Sequence, residues 1–303
     1  MPEDEAAEGI GGGAGMPPDR GGGRPGRGKP AMGGIVPGAE RLIVALDVAD
    51  AGRAQALVDQ LAPAGCAFKI GLEMLYAQGP GWIDRLAGRG LRVFVDAKLH
   101  DIPHTVYGAA RALGARGAWL LTVHLAGGRD MCRAAVEGAA AGAVAAGVPA
   151  PRVIGVTVLT SLAGAAYAEA TGARLPLGAE AARRAGNARA WGLAGVVCSP
   201  AELRAVRATV GPGMWLVTPG IRPAGSPRGD QQRVATPAEA IAAGADYLVV
   251  GRPVTAAADP VAALEAIAGE VAQALDGGTP DGGAPRHPPA GVDARTTPGA
   301  GQG

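Results

Sequence analysis

The run Asp96-Ala-Lys98-Leu-His-Asp101 places two carboxylates on either side of one ammonium. With Asp47 and Lys69 upstream it forms a set of five charges of mixed sign. A lysine held between carboxylates is positioned to hand a proton to a developing carbanion. A fixed carboxylate beside it disfavours a second carboxylate brought by a substrate, and loss of CO₂ relieves that repulsion. One such pair at ~4 Å contributes about 4 kcal/mol at an effective dielectric near 20. A hard decarboxylation needs up to ~23 kcal/mol of barrier lowering. Repulsion alone is therefore too small, and stabilisation of the carbanion by the lysine plus binding energy from a remote group must supply the rest. Any one of these five residues alone reads as an ordinary rim salt bridge. As a set they point to function, because clustered buried ions are costly unless function retains them.

A remote group is suggested near the C-terminal end. Thr218-Pro-Gly-Ile-Arg222-Pro and Gly251-Arg252-Pro each follow a short apolar run. Glycine permits close backbone approach and the guanidinium groups of Arg222 and Arg252 offer forked donors, a combination suited to phosphate.

These residues need a frame that brings them together. Eight short β-like runs are present: Leu42–Leu46, Ala67–Ile70, Val93–Val95, Trp119–Val123, Val153–Val158, Gly195–Val197, Trp215–Val217 and Tyr247–Val250. Most are continuously apolar, as expected of parallel strands buried on both faces. Helical spacing fills the intervals at Ala51–Leu61, Thr105–Leu113, Asp130–Ala146, Ala179–Trp191, Ala201–Ala208, Pro237–Ala243 and Pro260–Leu275. Asp50, Ser199-Pro200, Thr236-Pro237 and Asp259-Pro260 read as helix starts. Gly79-Pro80-Gly81 implies a helix that begins late between the second and third strands, and Ser161–Leu177 reads as a long loop of weak periodicity.

Eight strand–helix units predict a single-domain α/β fold, a (β/α)₈ barrel over residues 40–276. Disordered Gly- and Pro-rich tails are expected at 1–39 and 277–303. An open doubly wound sheet is the alternative. The barrel is favoured because polar residues stand at nearly every strand end: Asp47, Lys69, Asp96, Lys98, His124, Thr157, Thr160, Ser199, Thr218 and Arg252. In a barrel these converge on one rim, and phosphate commonly sits at the loops after strands seven and eight. No Gly-x-Gly-x-x-Gly follows the first strand, which lowers the dinucleotide-binding alternative. Asp96 and Lys98 share a face if strand geometry continues through Ala97.

Composition narrows the partners. Aromatic residues are 3% of the chain and the net charge is +1, so neither a base-stacking platform nor a basic stripe for nucleic acid is expected. Cys66, Cys132 and Cys198 are odd in number and widely spaced, which suits a reducing, cytoplasmic setting rather than a disulfide framework or zinc site. No apolar run is long enough for a membrane span, and no secretory signal pattern opens the chain.

The decapeptide from Asp96 to Thr105, Asp-Ala-Lys-Leu-His-Asp-Ile-Pro-His-Thr, resembles the signature of the orotidine 5′-phosphate decarboxylases. Leu46-Asp47, Phe68-Lys69-Ile-Gly-Leu-Glu73, Val158-Leu-Thr160-Ser161, Val197-Cys-Ser199, Thr218-Pro-Gly-Ile-Arg222-Pro, Gly229-Asp-Gln231 and Gly251-Arg252-Pro-Val-Thr255 extend the resemblance over about residues 41–270. The resemblance, to the shorter bacterial type, implies conversion of orotidine 5′-phosphate to UMP in pyrimidine synthesis, with no cofactor and no metal. It implies that Lys98 protonates C6 of the pyrimidine and that Asp96 lies against the substrate carboxylate. Asp47 and Lys69 would hold the ribose hydroxyls. Asp101, with Thr105 nearby, would reach into the site of a second subunit, making a homodimer. Thr160 and Ser199 would contact the ribose–phosphate and pyrimidine sides. Arg222, Gln231, Gly251 and Arg252 would bind phosphate. Ala97 and Leu125 depart from the pattern without touching a charged role.

Two other readings compete. A related barrel family of Mg²⁺-dependent sugar-phosphate decarboxylases and aldolases shares Asp-x-Lys-x-x-Asp. Lys69, where a metal site needs a carboxylate, opposes that reading, and Glu73 reads as helix surface. A catalytically dead phosphate-ligand binder is the second, opposed by the intact Lys98. His100, His104 and His124 read as loop-shaping or packing residues, since the chemistry already has a lysine donor.

Overall fold

The computed structural model describes residues 34–223 and 234–277. Within them, eight parallel strands close into a barrel in chain order, the eighth pairing back to the first. They are β1 Leu42–Ala45, β2 Ala67–Ile70, β3 Val93–Leu99, β4 Leu120–His124, β5 Arg152–Val156, β6 Gly195–Val197, β7 Trp215–Thr218 and β8 Tyr247–Val250. The helices around them are α1 Ala51–Leu61, α2 Leu72–Gln78, α3 Gly81–Ala87, α4 Pro103–Gly114, α5 Gly128–Ala146, α6 Gly164–Thr171, α7 Leu177–Ala190, α8 Leu203–Val210, α9 Pro237–Ala242, α10 Arg252–Thr255 and α11 Pro260–Asp276. The alternation defines a (β/α)₈ barrel. No described helix is long and apolar enough to cross a membrane.

The continuous apolar strands are explained by two cores. Residues such as Leu42, Val44, Phe68, Val95 and Leu121 pack outward under the helices. Ile43, Ala45, Ala67, Phe94, Leu120, Ile154, Trp215, Val217, Tyr247 and Val249 form a second cluster with the alternate parity, which fills the lumen. Trp119, Trp215 and Tyr247 close the N-terminal end of that lumen, with ring centroids 5.0 to 5.7 Å apart. Following the inward parity one step toward the C-terminal ends arrives at Asp47, Lys69, Asp96 and Thr122. The lumen therefore changes from apolar to charged within one layer of side chains.

Several local expectations need correction. The helix after β2 begins at once, at Leu72, rather than late. Gly79, at φ 73°, ends it, and a second short helix follows from Gly81. The expected loop at Ser161–Leu177 contains α6. Thr157 and Thr218 have outward parity and are fully buried, so they do not join the rim. Of the tails, only 34–39 and Gly277 are described. Val36 N–H donates to the Ala64 carbonyl at 3.1 Å, and Ala39 is buried at the foot of β1.

Helix starts follow the capping logic. The Asp50 carboxylate accepts from Arg53 N–H at 2.7 Å, Thr236 and Glu239 form a reciprocal box, and Asp259 accepts from Val261 and Ala262 N–H at 3.0 Å. At Ser199 the Glu202 carboxylate accepts from Ser199 N–H at 2.9 Å.

Candidate active site

At the C-terminal mouth of the barrel lies a cavity of about 410 Å³. Asp47, Lys69, Asp96, Lys98, Thr160, Arg222, Gly251 and Arg252 line it, together with Ala45, Phe94, Val156, Val158, Leu159, Val197 and Val249. It is lined by two lysines and two arginines against two aspartates, so its lining carries an excess of positive charge suited to an anion. No described group of three or more His, Cys, Asp or Glu side chains is placed to hold a metal ion.

The charges form a chain. Lys69 Nζ donates to Asp47 Oδ1 at 2.8 Å and lies 3.7 Å from Asp96 Oδ2. Lys98 Nζ donates to the same Asp96 Oδ2 at 2.8 Å. Asp96 thus sits between two ammonium groups, its side chain only 13% exposed. Removing one member of so enclosed a pair is costly, about 3–5 kcal/mol, because the remaining charge is left uncompensated. Gly71 makes room for the upstream pair: a Cβ there would lie 2.9 Å from both Asp47 Oδ1 and Lys69 Nζ.

The backbone that presents Lys98 is irregular. Between Val95 and Leu99 the register with β4 slips, since four steps along β3 match two along β4, from Leu121 to Val123. Such a bulge re-aims side chains and is common beside active sites. Lys98 has φ 47°, the sole positive value among the described non-glycine residues. That conformation costs on the order of 1–3 kcal/mol and persists only where surrounding bonds over-determine it. Asp96 and Lys98 meet through this bulge, rather than through the unbroken strand expected across Ala97. Thr122, not singled out from the sequence, supplies bonds on both sides: its hydroxyl oxygen accepts from Lys98 N–H at 2.9 Å, and its hydroxyl donates to Asp96 Oδ1 at 3.0 Å. The available signal was one polar residue at inward parity in Leu120-Leu-Thr-Val.

The opposite end of the cavity is built by the loops after β7 and β8. Pro219, Gly220 and Arg222 line it beside Gly251, Arg252 and Thr255. Beside the isolated bridge between Ile221 and Ala235, Arg222 N–H donates to the Ala235 carbonyl at 3.0 Å. Burial, followed by the neighbouring Arg252, pushes its pKa below the usual arginine value. An anion between the two guanidinium groups would relieve that repulsion. Gln231 lies outside the described residues.

The loop after β5 brings Leu159 and Thr160 to the cavity. Its start is fastened by Arg184, which donates to the Thr157 carbonyl at 3.1 Å and to Glu180 at 2.8 Å. The Tyr167 hydroxyl on α6 reaches the same carboxylate at 3.3 Å. Hydrogen bonds from Arg183, then Arg184, hold the Glu180 carboxyl down at about 2.

Asp101, Thr105 and Ser199 do not line the cavity. Asp101 and Thr105 are exposed on the connection after β3 and the first turn of α4. The Asp101 carboxylate accepts from Ile102 N–H at 2.7 Å. Ser199 is fully buried. The His100 and His124 rings stack with centroids 5.1 Å apart, and His124 Nδ1 accepts from Ala126 N–H at 3.3 Å.

Fold and site together define a (β/α)₈ barrel whose mouth joins a carboxylate–ammonium chain to a pair of arginines. The family model described as "Orotidine 5'-phosphate decarboxylase / HUMPS family" matches residues 40–267. Proteins named orotidine 5'-phosphate decarboxylase from Moorella thermoacetica and Halorhodospira halophila are 53% and 52% identical to the chain. Those alignments cover 77% and 79% of this chain and 92% and 99% of the relatives. A crystal structure of orotidine 5'-phosphate decarboxylase from Lactobacillus acidophilus is similar with a TM-score of 0.68 and 38% identity, covering 76% of this chain and 98% of that one. The chain belongs to the orotidine 5'-phosphate decarboxylase / HUMPS family.

His124 supplies a pH prediction. Burial, then the charges of His100, Arg184 and Lys98, lowers its pKa from 6.5 to about 4. The unfolded chain therefore takes up this proton near 6.5 while the folded chain refuses it until about 4, so stability falls as pH is lowered across that window. Discounted for partial solvent screening, the loss is on the order of 1 kcal/mol by pH 5. Urea unfolding at pH 7 and pH 5 should show a larger loss for the wild type than for His124→Asn. Parallel losses would contradict it.

Proposed function

We propose that this chain converts orotidine 5′-phosphate to UMP and CO₂, with Lys98 as the proton donor to C6. The observation that carries the reading is Asp96, fixed between Lys69 and Lys98 at one end of a cavity whose other end holds Arg222 and Arg252. In the mechanism, the substrate phosphate engages the two guanidinium groups and the Gly251 backbone, with Gln231 proposed as a further phosphate ligand. The ribose hydroxyls meet Asp47 and Lys69, and Thr160 contacts the ribose–phosphate side. The pyrimidine contact expected of Ser199 does not follow, since its side chain is fully buried and outside the cavity lining. The substrate carboxylate is then directed toward Asp96.

The C6–carboxylate bond breaks, CO₂ leaves, and the electron pair stays on C6. Lys98 stabilises that developing charge and transfers its proton to C6, after which solvent returns a proton to the lysine. Phosphate binding far from the reacting bond supplies energy that the Asp96 repulsion cannot supply alone. Apolar side chains on the cavity wall, including Phe94, Val156 and Val249, lower the local dielectric and strengthen these interactions.

A Mg²⁺-dependent sugar-phosphate reaction is disfavoured by the donor set. The Lys69 ammonium, 2.8 Å from Asp47 and 3.7 Å from Asp96, stands between the two carboxylates a cation would need. Asp101 and Thr105, exposed after β3, are assigned to the site of a second copy, which makes the working enzyme a homodimer in the cytoplasm.

Purified protein should consume orotidine 5′-phosphate, followed by its ultraviolet absorbance, at the same rate with and without EDTA. Lys98→Ala should lower kcat by about 10²- to 10⁴-fold or more. Robust turnover by that variant would sink the donor role, and activity that EDTA removes and Mg²⁺ restores would favour the metal-dependent reading. Shared sites can be tested separately. Mixing inactive Asp101→Ala and Lys98→Ala subunits should recover activity, whereas no recovery despite demonstrated subunit exchange contradicts the shared site.

A further inference from the structure

Thr122 is fully buried in a strand otherwise made of Leu, Val and a terminal His. Its inward parity puts it one layer above Leu120, at the boundary between the apolar lumen and the charged mouth. A hydroxyl has one donor and can accept twice. Here the donor goes to Asp96 Oδ1 at 3.0 Å and an acceptor site takes Lys98 N–H at 2.9 Å.

These two bonds divide the labour around Asp96. Oδ1 is held by Thr122, which leaves Oδ2 for Lys98 at 2.8 Å and Lys69 at 3.7 Å. The terminal torsion of an aspartate is broad and roughly two-fold, so without the hydroxyl the carboxylate plane is free to turn. The second bond ties down the backbone of Lys98, the residue at φ 47° in the β3 bulge. One side chain thus sets both the plane of the carboxylate and the aim of the ammonium beside it.

We propose that Thr122 is a positioning residue for the decarboxylation, acting through Asp96 and Lys98 without touching the substrate. The inference rests on the functional reading above. It differs from a simple packing role, because packing requires only the threonine's shape, whereas positioning requires its hydroxyl.

The test compares wild type, Thr122→Val and Thr122→Ser for orotidine 5′-phosphate turnover, with UMP binding measured by calorimetry. Thr122→Val keeps the shape and removes the hydroxyl, and Thr122→Ser keeps the hydroxyl. Thr122→Val should lower kcat by up to about 100-fold, the scale of a small misplacement of reacting groups. KM and UMP affinity should change by less than about twofold, since the phosphate and ribose contacts remain. Thr122→Ser should recover most of kcat. Near wild-type kcat in Thr122→Val overturns the proposal, as does equal loss in the Val and Ser variants accompanied by lost UMP binding, which marks a structural role. If Thr122→Val does not fold, Thr122→Ala against Thr122→Ser gives the same comparison. An inactive wild type would instead overturn the functional reading on which the proposal stands.

Discussion

A carboxylate enclosed by two ammonium groups is stable only while both cations stay in place, and the mouth of this barrel is organised around that condition. Asp96 is largely removed from water, with Lys98 at 2.8 Å and Lys69 at 3.7 Å from one of its oxygens. Each of those lysines is itself constrained. Lys69 is tied to Asp47 from the neighbouring strand, and Lys98 is fixed by a bulge and a left-handed backbone. The fold supports this expense with two apolar cores, one in the lumen and one under the helices. The ion chain is weak evidence for stability in itself, and its enclosure at a cavity is better explained by chemistry.

The barrel also sets the distance between chemistry and grip. Strands β1 to β3 carry the ion chain, while the loops after β7 and β8 carry Arg222, Gly251 and Arg252. Closure of β8 onto β1 brings the two groups to one cavity. A substrate anchored by phosphate at one end presents its reacting bond at the other. This spatial separation allows binding energy at the phosphate to be used at the carboxylate. The cationic excess of the lining suits a substrate that carries both groups.

Much of this was legible in the sequence because strands buried on both faces are continuous apolar runs, and polar residues at their ends stand out. Lys69, Asp96, Lys98, Arg222 and Arg252 were found in that way. What escaped notice depends on parity and backbone detail. Thr157 and Thr218 also end strands, yet they face the helices, and a position count without the register does not reveal it. The β3 bulge leaves no glycine or proline as a marker, since a lysine occupies the left-handed position. Thr122 is a single hydroxyl within an apolar run and reads as strand propensity until its partners are seen. The early start of α2 was hidden by Gly79-Pro80-Gly81, which ends one helix and begins another. Asp101 and Thr105 are exposed and outside the cavity lining, and their spacing from Lys98 in the sequence does not reveal that they turn away from this mouth.

In the proposed mechanism Lys98 moves a proton to and from C6. By microscopic reversibility, a group that protonates the C6 carbanion also removes the C6 proton of the product. The most direct measurement is therefore nuclear magnetic resonance of UMP incubated with the protein in D₂O, following loss of the C6 hydrogen signal. Exchange should be catalysed by the wild type and abolished in Lys98→Ala at a UMP concentration that saturates both. Undiminished exchange in the saturated Lys98→Ala protein would contradict it.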